Sequence, residues 1–125
     1  MIRVDLADPG AAWRLVVAAA RALGGLDVLV NSAARFARTP FASTSLAQYD
    51  RLLDLNLRGA FFCSQAAERA MARGGHIINT SDAVTGRGHS GTVDEVAAAV
   101  VFFATCPRYI TGQILAVDGG EGAGA

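Results

Sequence analysis

At 125 residues the chain has the length of one ordinary domain, enough to close one hydrophobic core and too little for two. Eleven basic residues balance eleven acidic ones, which removes the electrostatic case for a nucleic-acid or anionic-membrane partner; every basic residue is an arginine, so any mechanism that needs a lysine is excluded. A hydrophobic content of 52% and a mean hydropathy of +0.34 suit an α/β fold whose strands are buried on both faces.

The first residues, MIRVDL, read as a short strand. Asp5 and Asp8 stand where a secretory leader would need an apolar run, and the longest apolar stretch, VAAAVVFFA, is about half a membrane span, so a soluble cytoplasmic protein is expected. A helix follows, with Asp8 as N-cap, Pro9 at its first position, Trp13, Val16, Val17 and Ala20 on one face, and Gly24 as its stop. LDVLVN reads as a buried strand ending at Asn31, and residues 32–44 as a loop. Ser45 and Gln48 form a capping box that opens a long helix to about Arg73, closed by Gly74 and Gly75. HIINTS is a third strand, VDEVAAAVVFFAT a third helix and QILAVD a fourth strand. Strands alternating with helices predict a single α/β domain over residues 1–118, a Rossmann-like parallel sheet reduced to about four strands and three helices, with a flexible tail at 119–125.

Several side chains invite a chemical reading. GRGHSG places Gly86, Gly88 and Gly91 in a literal G-x-G-x-x-G between a strand and a helix, an alternative phosphate loop for a contracted dinucleotide-binding unit. Against it, the four residues DAVT separate the strand from the first glycine, whereas the motif needs its turn directly at the strand end. His89 in the same loop has the right chemistry for a proton donor but reads more simply as an idle loop residue. Cys63 and Cys106, far apart and without C-x-x-C spacing, are expected as reduced core thiols with no metal between them. Tyr49 lies beside Leu46, Leu52 and Leu53 and reads as core or interface, and the sequon at Asn79, in a strand of a cytoplasmic chain, reads as incidental.

LDVLVNSAA, LNLRGAFF, GGHIINTSDA and YITGQILAVDGG, in this order, resemble the short-chain dehydrogenase/reductase family over nearly the whole chain. Within it, NSAARFARTPF and the aspartate of IINTSDA resemble the pteridine-reductase-like branch, where an aspartate replaces the usual catalytic serine. The resemblance implies hydride transfer between NADP or NAD and a small-molecule carbonyl or pterin-like substrate. It makes Asp82 the catalytic aspartate, with Ser81 adjacent, and Asn56 the helix asparagine that holds a proton-relay water. Cofactor contacts fall on Asp5, at the adenine position, on Asn31, Ser32 and Ala33, and on Thr80 and Ser81; Phe36 matches an aromatic that stacks on the pterin. Ser32 and Ala34 depart from the motif's usual asparagine and glycine.

Three family features are missing. The glycine-rich phosphate loop would precede Met1, the sixth family strand and substrate segment would separate Gly91 from Thr92, and the tyrosine of Tyr-x-x-x-Lys is replaced by Glu95. The chain therefore reads as a truncated, internally deleted member that is inactive alone, because general acid–base help is worth ~10²- to 10⁴-fold. Family strands run in the order 3-2-1-4-5-6-7, and the chain keeps counterparts of 3, 4, 5 and 7. Contraction into a four-stranded sheet in sequential order is the expected response. All three helices would then share one face, and the bare face would predict a homo-oligomer, or association with an intact relative, through helix 46–73 and strand 113–118.

Overall fold

The computed structural model describes residues 1–8, 10–81 and 91–119. The chain forms two compact units, Met1–Asn79 and Thr80–Ala125.

In the first unit, helix α1 (Ala11–Leu23) leads to strand β1 (Val28–Asn31). Gly24 closes α1 at φ 75°, a left-handed conformation that glycine adopts without a Cβ penalty, and its N–H reaches the Ala20 carbonyl. A 3-10 turn (Phe41–Ser43) precedes helix α2 (Leu46–Leu53). The predicted capping box is formed: the Gln48 N–H donates to Ser45 Oγ at 3.3 Å, and the Ser45 N–H donates to Gln48 Oε1 at 2.9 Å. A π turn (Asp54–Gly59) joins α2 to α3 (Ala60–Ala70), so the predicted long helix is one helix with a widened turn inside it. Strand β2 (His76–Asn79) follows and pairs in parallel with β1, Val28 opposite His76 and Asn31 opposite Asn79. The strands meet closely at their entry, where a Cβ on Gly75 would collide with the Asp27 carbonyl oxygen and lie 2.7 Å from Met71 Sδ.

The core of this unit is built from small side chains. Ala12 and Val16 of α1 pack against Cys63, Ala66 and Ala67 of α3 and against Met71, with Leu6, Leu26 and Leu29 at the margin. Alanines bring the two helices close but bury little area, so Val16 and Met71, worth about 1.5–3 kcal/mol each, supply much of the apolar stabilisation. At the edge of this contact the Arg69 guanidinium lies 5.4 Å from the centroid of the Trp13 ring. Burial holds the Cys63 thiol above its ordinary pKa, in keeping with a neutral core thiol.

In the second unit, α4 (Val93–Thr105) has the bounds that the sequence predicts. Cys106 is buried just after it, and a turn follows in which the Ile110 N–H reaches the Pro107 carbonyl.

Among the described residues the sheet holds two strands, not four, and the sequential contraction is not what they form. Residues 1–6 and 113–118 carry no ladder. The reason is that neither segment has a partner strand among the described residues, whereas β1 and β2 pair with each other. A segment keeps a strand conformation in a sheet only where an adjacent backbone satisfies its N–H and C=O groups. The class is nonetheless α/β: a small parallel sheet crossed over by helices, a reduced Rossmann-like arrangement.

Candidate functional site

Both strands end in asparagine, and the register sets these two residues side by side at the carboxyl end of the sheet, the edge at which open α/β sheets receive ligands. The Asn31 Nδ2 group donates to Asn79 Oδ1 at 2.8 Å, to Ser64 Oγ at 3.0 Å and to the Ala60 carbonyl at 3.5 Å. Ser64 in turn donates to the Ala60 carbonyl at 2.8 Å. Asn31 thus fastens the sheet edge to α3. The sequence reading left open whether it caps the backbone or lines a cleft; this amide points into the framework.

Asn56 sits inside the π turn, where a widened turn turns its side chain outward to the loop after β1. Its Oδ1 accepts from the Arg35 N–H at 2.7 Å and its Nδ2 donates to the Arg35 carbonyl at 2.8 Å. This two-point grip fixes the backbone next to Phe36, whose side chain is 79% exposed and free of the core. Ser32 and Ala33, at the start of the same loop, are exposed.

A second loop meets the same turn from the N-terminal side. Asp5 Oδ1 accepts from the Ala7 N–H at 3.0 Å, and the Asp5 carbonyl accepts from the Asp8 N–H at 3.1 Å. Asp8 pairs with Arg14. The Gly10 N–H bonded to its carboxylate, then Arg14, hold that carboxylate below its usual range. Arg58 Nη2 reaches the Ala7 carbonyl at 3.2 Å and Asp54 Oδ1 at 2.8 Å.

The structure therefore brings together Asn31, Asn56, the Ser32–Phe36 loop and the Asp5 loop in the first unit. Thr80, half-buried, and Ser81, exposed, belong to the second unit. Asp82, Gly86, Gly88 and His89 lie outside the described residues. Gly91 is described and exposed; a Cβ there would stand 3.6 Å from Glu95 Oε2 and 4.0 Å from the Val117 carbonyl oxygen, ordinary contacts that place no demand on glycine. Ser64 and Arg58 are site neighbours that the sequence reading did not single out, and Asn79 is one that it took only as an incidental sequon. A polar residue closing each of two adjacent buried strands was the available signal for Asn79, and an aspartate four residues before Arg58 for the Asp54 pair.

Glu95, at the position where the resemblance puts a tyrosine, is the third residue of α4 and closes a capping box. Its Oε2 accepts from the Thr92 N–H at 2.7 Å and from Thr92 Oγ1 at 2.8 Å, while the Glu95 N–H donates to Thr92 Oγ1 at 3.3 Å. The Thr92 N–H bond, then the hydroxyl bond, hold this carboxylate below the ordinary glutamate range. No group of metal-ligating side chains, and no helix long and apolar enough to cross a membrane, occurs among the described residues. A hollow of about 320 Å³ lined by Leu23, Asp27, Val28 and Arg73 lies at the amino end of β1, opposite the asparagine edge.

Residues 1–90 match the family profile described as Enoyl-(Acyl carrier protein) reductase. Among curated proteins, sorbitol dehydrogenase of Cereibacter sphaeroides is 36% identical over 105 residues, covering 80% of this chain and 41% of the relative. Among solved structures, a short-chain dehydrogenase from Burkholderia cenocepacia in complex with NADP is 36% identical with a TM-score of 0.62, covering 78% of this chain and 40% of that one. The NADH-dependent reductase A1-R', complexed with NAD, is 27% identical with a TM-score of 0.85, covering 95% of this chain and 73% of that one. The chain spans about two-fifths of the length of the curated relatives it matches. A profile over residues 1–90, the parallel pair that the family order predicts, and nicotinamide-binding relatives in solved structures converge on one conclusion: the chain belongs to the short-chain dehydrogenase/reductase family of oxidoreductases.

Proposed function

We infer that this chain is a short-chain dehydrogenase/reductase scaffold that takes the adenosine end of a nicotinamide dinucleotide, does not transfer hydride by itself, and works in assembly with a second copy or an intact relative. The observation that carries the reading is Glu95. Where the resemblance, counted from Asp82, expects the family's acid, the chain has a carboxylate held ionised by two bonds from Thr92 and engaged in capping α4. An anion so held has no proton to give near neutral pH, and the sequence has no lysine to depress the pKa of a substitute.

The residues present fit the adenosine end of NAD or NADP. Asp5 carries an exposed carboxylate and Ser32 an exposed hydroxyl, groups that pair with adenine and ribose, on two loops held by one π turn. The described residues offer no glycine turn directly at a strand end for the pyrophosphate, so the affinity is low. When bound, the dinucleotide supplies the hydride. Asp82, Ser81 and Asn56 are what the chain keeps of the catalytic set, Thr80 belongs with the cofactor side, and Asn31 holds the sheet edge that both sides need. The ancestral substrate is a small carbonyl compound. Likeness to a sorbitol dehydrogenase supports a polyol and its ketone; the exposed Phe36 ring and Asp82 support the pteridine-reductase-like branch.

Incubation of the purified chain with NADH or NADPH and a panel of ketoses, aldehydes and a dihydropterin, followed by nicotinamide fluorescence, tests the catalytic part. Consumption no faster than without protein is expected, with activity changing only when an intact relative is added. Turnover by the chain alone would contradict the reading.

A further inference from the structure

Arg58 has no part in the resemblance, yet its guanidinium joins two pieces of the first unit. One nitrogen, Nη2, contacts Asp54 one turn earlier and donates to the Ala7 carbonyl, so the arginine is held from its own helix while it grips the Asp5 loop. That loop is closed on itself by the Ala7 N–H to Asp5 Oδ1 bond and the Asp8 N–H to Asp5 carbonyl bond. One residue further along, Gly59 is buried with room for no more than contact: a Cβ there would lie 3.4 Å from Leu6 Cβ and 3.5 Å from the Leu6 carbonyl oxygen. Two residues earlier in the same π turn, Asn56 holds both backbone groups of Arg35. Arg58 Nε, by contrast, is buried with no hydrogen-bond partner. An arginine selected for stability alone would not leave a donor unmet, because a buried unpaired donor costs free energy that an apolar side chain of similar volume would not.

We propose that Arg58 is a positioning residue that couples the Asp5 loop to the Asn56 turn, so that the adenosine end of a dinucleotide bound at Asp5 orders the Arg35–Phe36 loop on the other side of the turn. The coupling rests on the reading above that the dinucleotide binds at the Asp5 loop. It needs no change of shape. A π turn gripped from both sides transmits order because loosening either grip frees the turn that carries the other.

Amide hydrogen exchange on the full chain, for the wild type and for Arg58→Met and Arg58→Lys, with and without NADH, tests it. In the wild type NADH slows exchange at the amides of Ala7, Asp8 and Arg35 together. In Arg58→Met the Arg35 amide exchanges roughly tenfold faster than in the wild type and NADH no longer slows it, while amides of α1 are unchanged. Arg58→Lys, which keeps one donor for the Ala7 carbonyl, recovers part of the coupling and serves if the methionine variant does not fold. Arg35 protection that still responds to NADH in both variants would overturn the role of Arg58 and leave the binding reading intact. If NADH alters no amide in the wild type, the binding reading fails, and the grip is judged without nucleotide: Arg35 and Asp8 amides that exchange in the variants as in the wild type would overturn it too.

Discussion

Glu95 shows how a side chain that the resemblance sets against a tyrosine can do a structural job. Its carboxylate has a folded pKa below the unfolded one, so the stabilisation it gives α4 is complete above the ordinary glutamate value of about 4.3 and is lost as pH falls through the lower folded value. Helical circular dichroism should therefore be constant from neutral pH down to that range and then fall, and Glu95→Gln should remove this component of the acid transition. Thr92→Ala deletes the reciprocal partner and is expected to destabilise α4 by about 1 kcal/mol at neutral pH, read from urea unfolding. Asn31 is the complementary case, a residue that resemblance assigns to cofactor and that the fold uses as a fastener. Asn31→Ala leaves Asn79 Oδ1 without its donor and removes the bond to Ser64; a loss of about 1–3 kcal/mol from the first unit is expected, against none if the amide merely faced solvent.

At the scale of elements, stability in the first unit depends on how closely α1 and α3 approach. Ala67, fully buried at their contact, leaves no space, so Ala67→Leu should cost about 1–3 kcal/mol in chemical unfolding through overpacking; an unchanged midpoint would mean that the helices part readily. The helices were legible because their punctuation is local: Ser45 with Gln48, Gly24, and the apolar run from Val93 each decide a boundary within a few residues. The two outer strands were read from the same kind of local signal and did not form, because a strand also needs a neighbour and MIRVDL and QILAVD carry nothing that supplies one. The π turn was hidden for a related reason. Asn56 and Arg58 declare their role only through partners 21 and 51 residues away, and no periodicity within the helix announces a widened turn.

At the scale of the whole molecule, large apolar side chains stand exposed in each of the two units. Leu46, Tyr49, Leu57 and Phe61 lie exposed along the long helix, and Ile114 and Leu115 on the segment after α4. Apolar surface on this scale favours self-association, so sedimentation velocity is expected to show a species heavier than the monomer that dissociates on dilution; a monomer at every concentration would contradict the assembly reading. The central claim, a family scaffold that folds and keeps a weak nucleotide site without its acid, is tested most directly by thermal unfolding with and without millimolar NADPH. The account predicts a cooperative transition raised by about 4 °C, the effect of a ligand present at a few times its Kd and bound only to the folded state. A transition that NADPH does not move, or heating that shows no cooperative transition at all, would contradict it.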